Sequence, residues 1–217
     1  MAKTEHYYTV FEEDCFYHIY NRTVDKQPMF KHESNYEYFL KQYNKYLSPV
    51  TETYAYCLLG NHFHILLRVK EHSSIIADLT GFQKLSNLPL VNILDKSTHD
   101  LVSHQFRKFF QSYAMAFNKE QNRIGTLFQT PFKRVLVKDD LYFTQLVYYI
   151  HSNPQHHHLT NDFRKWKWSS YDRILLDKPS ALKKQEVIEW FGNKEAYVIY
   201  HMELHKVMLD EKLLFED

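Results

Sequence analysis

The chain has 217 residues, 44% hydrophobic and 24% charged, which is the balance of an ordinary globular domain able to bury a sizeable core. A net charge of +1 excludes nothing, but only four glycines occur and none builds a phosphate-cradling loop, so nucleotide-binding folds of the Gly-rich kind are set aside. No apolar run reaches the ~18 residues of a membrane span and the start lacks a leader pattern, so the expected compartment is cytoplasmic and no membrane partner is expected.

Residues 15–22, CFYHIYNR, alternate like a strand, and 34–47 carry Tyr36, Phe39, Leu40, Tyr43 and Leu47 at helical spacing, with Ser34 as the expected N-cap. TYAYCLLG (53–60) and HFHILLRV (62–69) read as two strands, with a bulge or a tight turn at Gly60-Asn61. A helix is expected to begin within 72–80, and 85–100 reads as loop. The stretch 102–120 reads as a long helix with Phe106, Phe109, Phe110, Tyr113 and Phe117 on one face. Strand character returns over 125–137, and 141–152 reads as a helix that Pro154 should end by Asn153. After Ser180 come two more helical stretches, EVIEWF and one starting near Lys194. Cys15 and Cys57 form no C-x-x-C and read as reduced core thiols. This order predicts an α+β domain, an antiparallel sheet packed with helices, over 1–175, followed by a helical extension over 176–217.

Charge is unevenly spread. Residues 101–175 hold 11 Lys/Arg against 5 Asp/Glu, between two mildly acidic flanks, which suits a phosphate footprint. The candidate contacts are Arg22, Arg107, Lys108, Arg123, Lys133 and Arg134 for phosphates. Arg164, Lys165 and Lys167 flank Trp166 and Trp168, a mixture that suits stacking on unpaired bases.

Asn61-His62-Phe63-His64 opens an apolar run. On a strand His62 and His64 point the same way, about 6.6 Å apart, with Phe63 turned to the other face. Such a pair suits a metal, and equally a structural role. Tyr149 and Asn153 are four apart, hence neighbours on one helical face. Asn153 offers a hard carbonyl oxygen suited to Mg²⁺ or Mn²⁺, and Tyr149 a phenol able to act as a nucleophile. Tyr148 is the rival nucleophile, and His156-His157-His158 the rival metal site, although three consecutive residues converge poorly.

These blocks resemble the single-tyrosine HUH transposases and, within them, the REP-associated tyrosine transposases. The family's Y-H-x-x-N-R strand is matched by Tyr17-His18-Ile19-Tyr20-Asn21-Arg22, and its N-H-hydrophobic-H by Asn61 to His64. Gly125 to Lys133 matches G-x-L-F/W-Q-x-x-F/Y-K, Tyr149-Ile150-His151-Ser152-Asn153-Pro154 matches Y-I-x-x-N-P, and Trp168-Ser169-Ser170-Tyr171 is a shortened W-x-S-S-Y. Pro131 and the run Gln155 to His158 stand where basic residues are common, a departure that bears on DNA contacts.

The resemblance implies a ferredoxin-like sheet of HUH endonuclease architecture with the histidine pair on its central strand. It also implies one divalent metal, Mg²⁺ or Mn²⁺, on His62, His64 and Asn153, with Tyr149 as nucleophile. The implied activity is metal-dependent cleavage and strand transfer on single-stranded or hairpin DNA through a 5′-phosphotyrosine. The alternatives are a domesticated hairpin-binding protein without recombination and an RNA-binding sheet protein. Monomer or homodimer stays open.

Overall fold

Alternation of apolar side chains in three of the four strands dictates a sheet with two different faces, and each face meets its own set of helices. The computed structural model describes residues 8–84 and 93–211. In chain order these form β1 (Phe16–Arg22), α1 (Glu33–Leu47), β2 (Thr51–Leu58), β3 (His62–Val69), α2 (His72–Lys84) and α3 (Thr98–Glu120). Then follow β4 (Lys133–Val137), α4 (Asp140–His156), a 3-10 turn at Phe163–Lys165, α5 (Tyr171–Leu175), α6 (Lys184–Phe191) and α7 (Lys194–Glu211). The strands lie in the order β2-β3-β1-β4 with antiparallel neighbours throughout, the ferredoxin-like arrangement of an α+β domain.

On one face, Tyr17 and Ile19 of β1 and Phe63, Ile65 and Leu67 of β3 pack against Phe39 and Tyr43 of α1 and Phe106, Phe109 and Tyr113 of α3. Burying each of these large apolar side chains is worth about 1.5–3 kcal/mol. The other face carries Ala55, Cys57 and Leu66 against Phe143, Val147 and Ile150 of α4, and this cluster continues into Val187 of α6 and Tyr197 of α7. Ion pairs tie the last helices to the sheet edge: Glu52 of β2 meets Arg68 at 2.6 Å and Lys183 at 2.7 Å, and Lys183 meets Glu186 of α6 at 3.1 Å.

Local chemistry moves several expected boundaries. The cap of α1 is His32, not Ser34, because the Asn35 side chain reaches back to accept from the backbone N–H of Lys31 and His32 at 3.0 and 3.1 Å. The β2–β3 connection is a tight turn closed by Leu59 N–H to His62 O at 2.9 Å, and the irregularity in β2 falls instead between Thr53 and Ala55. The helix expected from 102 starts at Thr98, where Ser97 accepts from Asp100 N. The rest of the expected 85–100 loop lies partly outside the described residues. Strand character over 125–137 is confined to Lys133–Val137; ahead of it Gly125 adopts φ 99° and Phe128 makes a lone bridge to Thr23.

Pro154 does not end α4, which runs on to His156 with the proline inside it. An interior proline costs about 3 kcal/mol. Here Ile150, His151, Asn153 and Pro154 are all buried, so packing on both sides holds Asn153 helical, and His157 N and Leu159 N close the helix end on Asn153 O and Pro154 O at 2.9 and 2.8 Å. Among the described residues no helix is long and apolar enough to cross a membrane.

Candidate functional site

Strand parity puts His62 and His64 of β3 on the face that α4 covers, beside Arg22, Tyr20 and His18 of β1. The register sets Tyr20 opposite both His64 and Lys133, and Arg22 opposite His62. Across this floor lies α4. The Tyr149 ring stands edge-on to His64 at 5.5 Å and to His18 at 6.1 Å. Two turns further on, the His157 ring meets His62 at 4.7 Å. Tyr149, Asn153 and His157 recur every four residues and so share one stripe of the helix. Asn153, between the two contacts, is 1% exposed. The structure thus brings the Tyr149 ring to His64 and the His157 ring to His62, with Asn153 between them on the same helix of the same chain.

The orientation of each candidate ligand is fixed by a neighbour. Asn61 Nδ2 donates to Lys26 O at 2.7 Å, so its Oδ1, 2.7 Å from His62 Nδ1, is an acceptor and draws the imidazole proton to Nδ1. His64 Nδ1 lies 3.0 Å from His18 Nε2. Asn153 Nδ2 donates to Tyr149 O at 3.0 Å, which leaves the carbonyl oxygen as its candidate ligating atom. A divalent ion held through two imidazole Nε2 atoms and one amide oxygen fits this donor set, since metal-bound histidines commonly engage the other ring nitrogen with a neighbour. Among the described residues no group of three or more His, Cys, Asp or Glu is arranged to hold a metal, so the set rests on the amide as third ligand.

The rivals point elsewhere. Tyr148 is buried on the opposite side of α4, its hydroxyl 3.0 Å from His205 Nδ1, and burial pushes its pKa up to about 12. His156 stacks on His205 at 6.1 Å while His157 meets His62, so the three consecutive histidines diverge. That far side of α4 also carries a buried chain: Ser170 Oγ to His151 Nε2 at 2.8 Å, His151 Nδ1 to His201 Nε2 at 3.0 Å, and His201 Nδ1 to Tyr197 O at 2.8 Å.

A cleft of about 160 Å³ opens beside the histidine pair, with Arg22, Lys133, Gln129 and His157 on its walls. Arg22 Nε is buried there with no hydrogen bond among the described residues, and Lys133 sits 5.0 Å over the Tyr20 ring. The other basic candidates disperse. Arg107 and Lys108 are exposed on α3, and Arg107 lines a separate groove with Phe110 and Phe132. Arg123 is tied to Asn118, Asp25 and Thr126 at 3.1, 3.4 and 3.0 Å. Arg134 lies on the opposite sheet face over Phe11 and Phe132, where burial lowers its pKa. Arg164 forks onto Asp162 at 2.8 and 2.9 Å, Lys165 lies 3.9 Å from the same carboxylate, and Lys167 pairs with Glu33 at 2.7 Å.

Trp168 corrects the expectation of base stacking. It is 6% exposed, with its ring 4.4 Å from Tyr36 and nearly parallel to it, and Lys167 Nζ is 4.8 Å from its centre. Trp166 donates Nε1–H to Leu58 O at 2.9 Å. Both tryptophans seat the 163–171 segment on the sheet. Sequence reading gives His18 no role of its own; the signal for it is strand parity, which sets it opposite in facing to Tyr17 and Ile19.

A search of family models finds no match. A curated Haemophilus influenzae protein named as a REP-associated tyrosine transposase is 25% identical over 148 residues, covering 66% of this chain and 69% of that protein. A solved REP-associated tyrosine transposase bound to a REP hairpin superposes with a TM-score of 0.52 at 13% identity, over 77% of this chain and 82% of that one. The chain is thus similar in sequence to one REP-associated tyrosine transposase and shares the fold of another. The likeness to the solved structure is one of fold, a four-stranded antiparallel sheet packed with helices.

Proposed function

We propose that this chain cleaves and rejoins single-stranded DNA next to a hairpin, with Tyr149 as nucleophile and a Mg²⁺ or Mn²⁺ ion on His62, His64 and Asn153. The observation that carries the reading is the approach of the Tyr149 ring to His64 at 5.5 Å from a helix that also bears Asn153. When bound, the ion would withdraw charge from a phosphodiester oxygen and so make phosphorus more open to attack. The Tyr149 oxygen forms a bond to phosphorus as the bond to the 3′ oxygen breaks. The phenol gives up one proton and the departing 3′ oxygen takes one up, leaving a 5′-phosphotyrosine and a 3′-hydroxyl. Reversal by another 3′-hydroxyl rejoins the strand, and no nucleotide cofactor is consumed. Arg22 and Lys133 in the cleft wall supply charge for the phosphate backbone. Because α4 folds over the sheet of its own chain, a monomer suffices for the chemistry. Residues 1–175 form the catalytic unit in this reading, with 176–217 as its extension.

The test is an adduct assay with end-labelled hairpin DNA and Mn²⁺. Wild type and Tyr148→Phe form a covalent protein–DNA species, and Tyr149→Phe forms none. Hairpin binding by the wild type with no adduct under any divalent metal would refute the strand-transfer reading and leave a binding protein.

A further inference from the structure

We infer that His18 is a positioning residue for the site, holding His64 in the tautomer a metal ligand needs; the inference deepens the metal-dependent reading and rests on it. His18 of β1 pairs in register with Leu66, so His64 is its diagonal neighbour on the same sheet face, within reach of a long side chain. The two rings meet with Nε2 of His18 3.0 Å from Nδ1 of His64, and the pair is 6% and 1% exposed. Tyr20 stacks along both rings, at 4.8 Å from His18 and 5.5 Å from His64, and the Tyr149 ring closes the fourth side. Packed so, neither imidazole can turn without displacing an aromatic neighbour.

One proton lies between the two nitrogens, and its owner decides what His64 can do. If His64 carries it on Nδ1, its Nε2 is basic and can ligate. If His18 carries it, the neutral His64 is protonated at Nε2 and cannot. The first histidine of the pair has this question settled by Asn61, whose amide is oriented by Lys26 O so that an oxygen, an obligatory acceptor, faces His62 Nδ1. His18 does for His64 what Asn61 does for His62, accepting the Nδ1 proton with its own Nε2. The two supports come from different parts of the chain, one adjacent in sequence and one 46 residues away across the sheet.

Two measurements on the full chain test this. In the metal-free protein labelled with ¹⁵N-histidine at pH 8, a long-range ¹H–¹⁵N spectrum reports the tautomer of His64. Wild type shows the proton on Nδ1, His18→Ala moves the population to Nε2, and His18→Gln, whose amide oxygen can accept from the same place, restores Nδ1. A wild-type His64 protonated on Nε2, or one indifferent to His18→Ala, overturns the inference without touching the nucleophile assignment. Mn²⁺ affinity, read from the electron paramagnetic resonance of free Mn²⁺, then falls about 10- to 100-fold in His18→Ala and recovers in His18→Gln. Loss of binding in His64→Ala with no change in His18→Ala sinks the role of His18 alone. Absence of Mn²⁺ binding in the wild type sinks the metal reading and this inference together.

Discussion

The buried chain behind α4 makes a quantitative prediction about acid. His201 Nδ1 faces the carbonyl of Tyr197, which can only accept, so the proton sits on Nδ1 and Nε2 must accept from His151 Nδ1–H. His151 Nε2 lies 2.8 Å from Ser170 Oγ, a hydroxyl that also meets Tyr56 O at 3.2 Å, so both rings sit in a fully buried network where a charged imidazole is disfavoured. Burial holds His201 down to about 3, against the hydrogen bond to Tyr197 O that opposes the shift, and burial likewise lowers His151 well below its usual value. In the unfolded chain a histidine titrates near ~6.5. The folded value lies below the unfolded one, so this stability is fully present above pH ~6.5 and is lost as pH falls from there toward about 3. At pH 5 the interval already crossed is ~1.5 units, worth ~2 kcal/mol for His201 alone. Urea unfolding followed by far-ultraviolet circular dichroism at pH 7.5 and pH 5.0 measures the loss, and His201→Gln, which cannot titrate, should show ~2 kcal/mol less of it. An equal loss in wild type and His201→Gln would refute the reasoning.

Other outcomes follow from the same geometry. Trp168→Ala removes a buried ring stacked on Tyr36 and should cost about 3–5 kcal/mol in denaturant unfolding; intact stability with lost DNA binding would return Trp168 to the DNA surface. Lys133→Ala should weaken hairpin binding at low salt and reduce the slope of log K against log salt by about 1, as expected for one lost phosphate contact. Arg123→Ala should lower the melting temperature and leave that slope unchanged, because its guanidinium is spent on Asn118, Asp25 and Thr126.

Much of the framework was legible because it is local or periodic. Alternation gave β1, β2 and β3, the aromatic spacing gave α3, and parity put His62 and His64 on one face. Tyr149 and Asn153 share a helical stripe by spacing alone; that this stripe covers the histidine pair is a tertiary fact, expected only through the family resemblance. What escaped reading depends on partners distant in sequence. Pro154 signals a helix end, and only burial from both sides overrides it. Trp168 beside lysines resembles a stacking platform, yet Tyr36 of α1 claims its ring. Arg134 sits next to Lys133 in the chain, and strand parity sends the two to opposite faces, a distinction that charge counting ignores. His18 is invisible as a contact of His64 until the register of β1 on β3 is known.

The helix that carries Tyr149 also carries Asn153, and its far flank is clamped by α7 through His201 and His205. In the proposed chemistry, attacker and amide oxygen therefore travel as one rod. If the rod lifts, their mutual spacing survives while both recede from the imidazoles on the floor. The proposed centre would therefore come apart along a single seam, the one between α4 and the sheet.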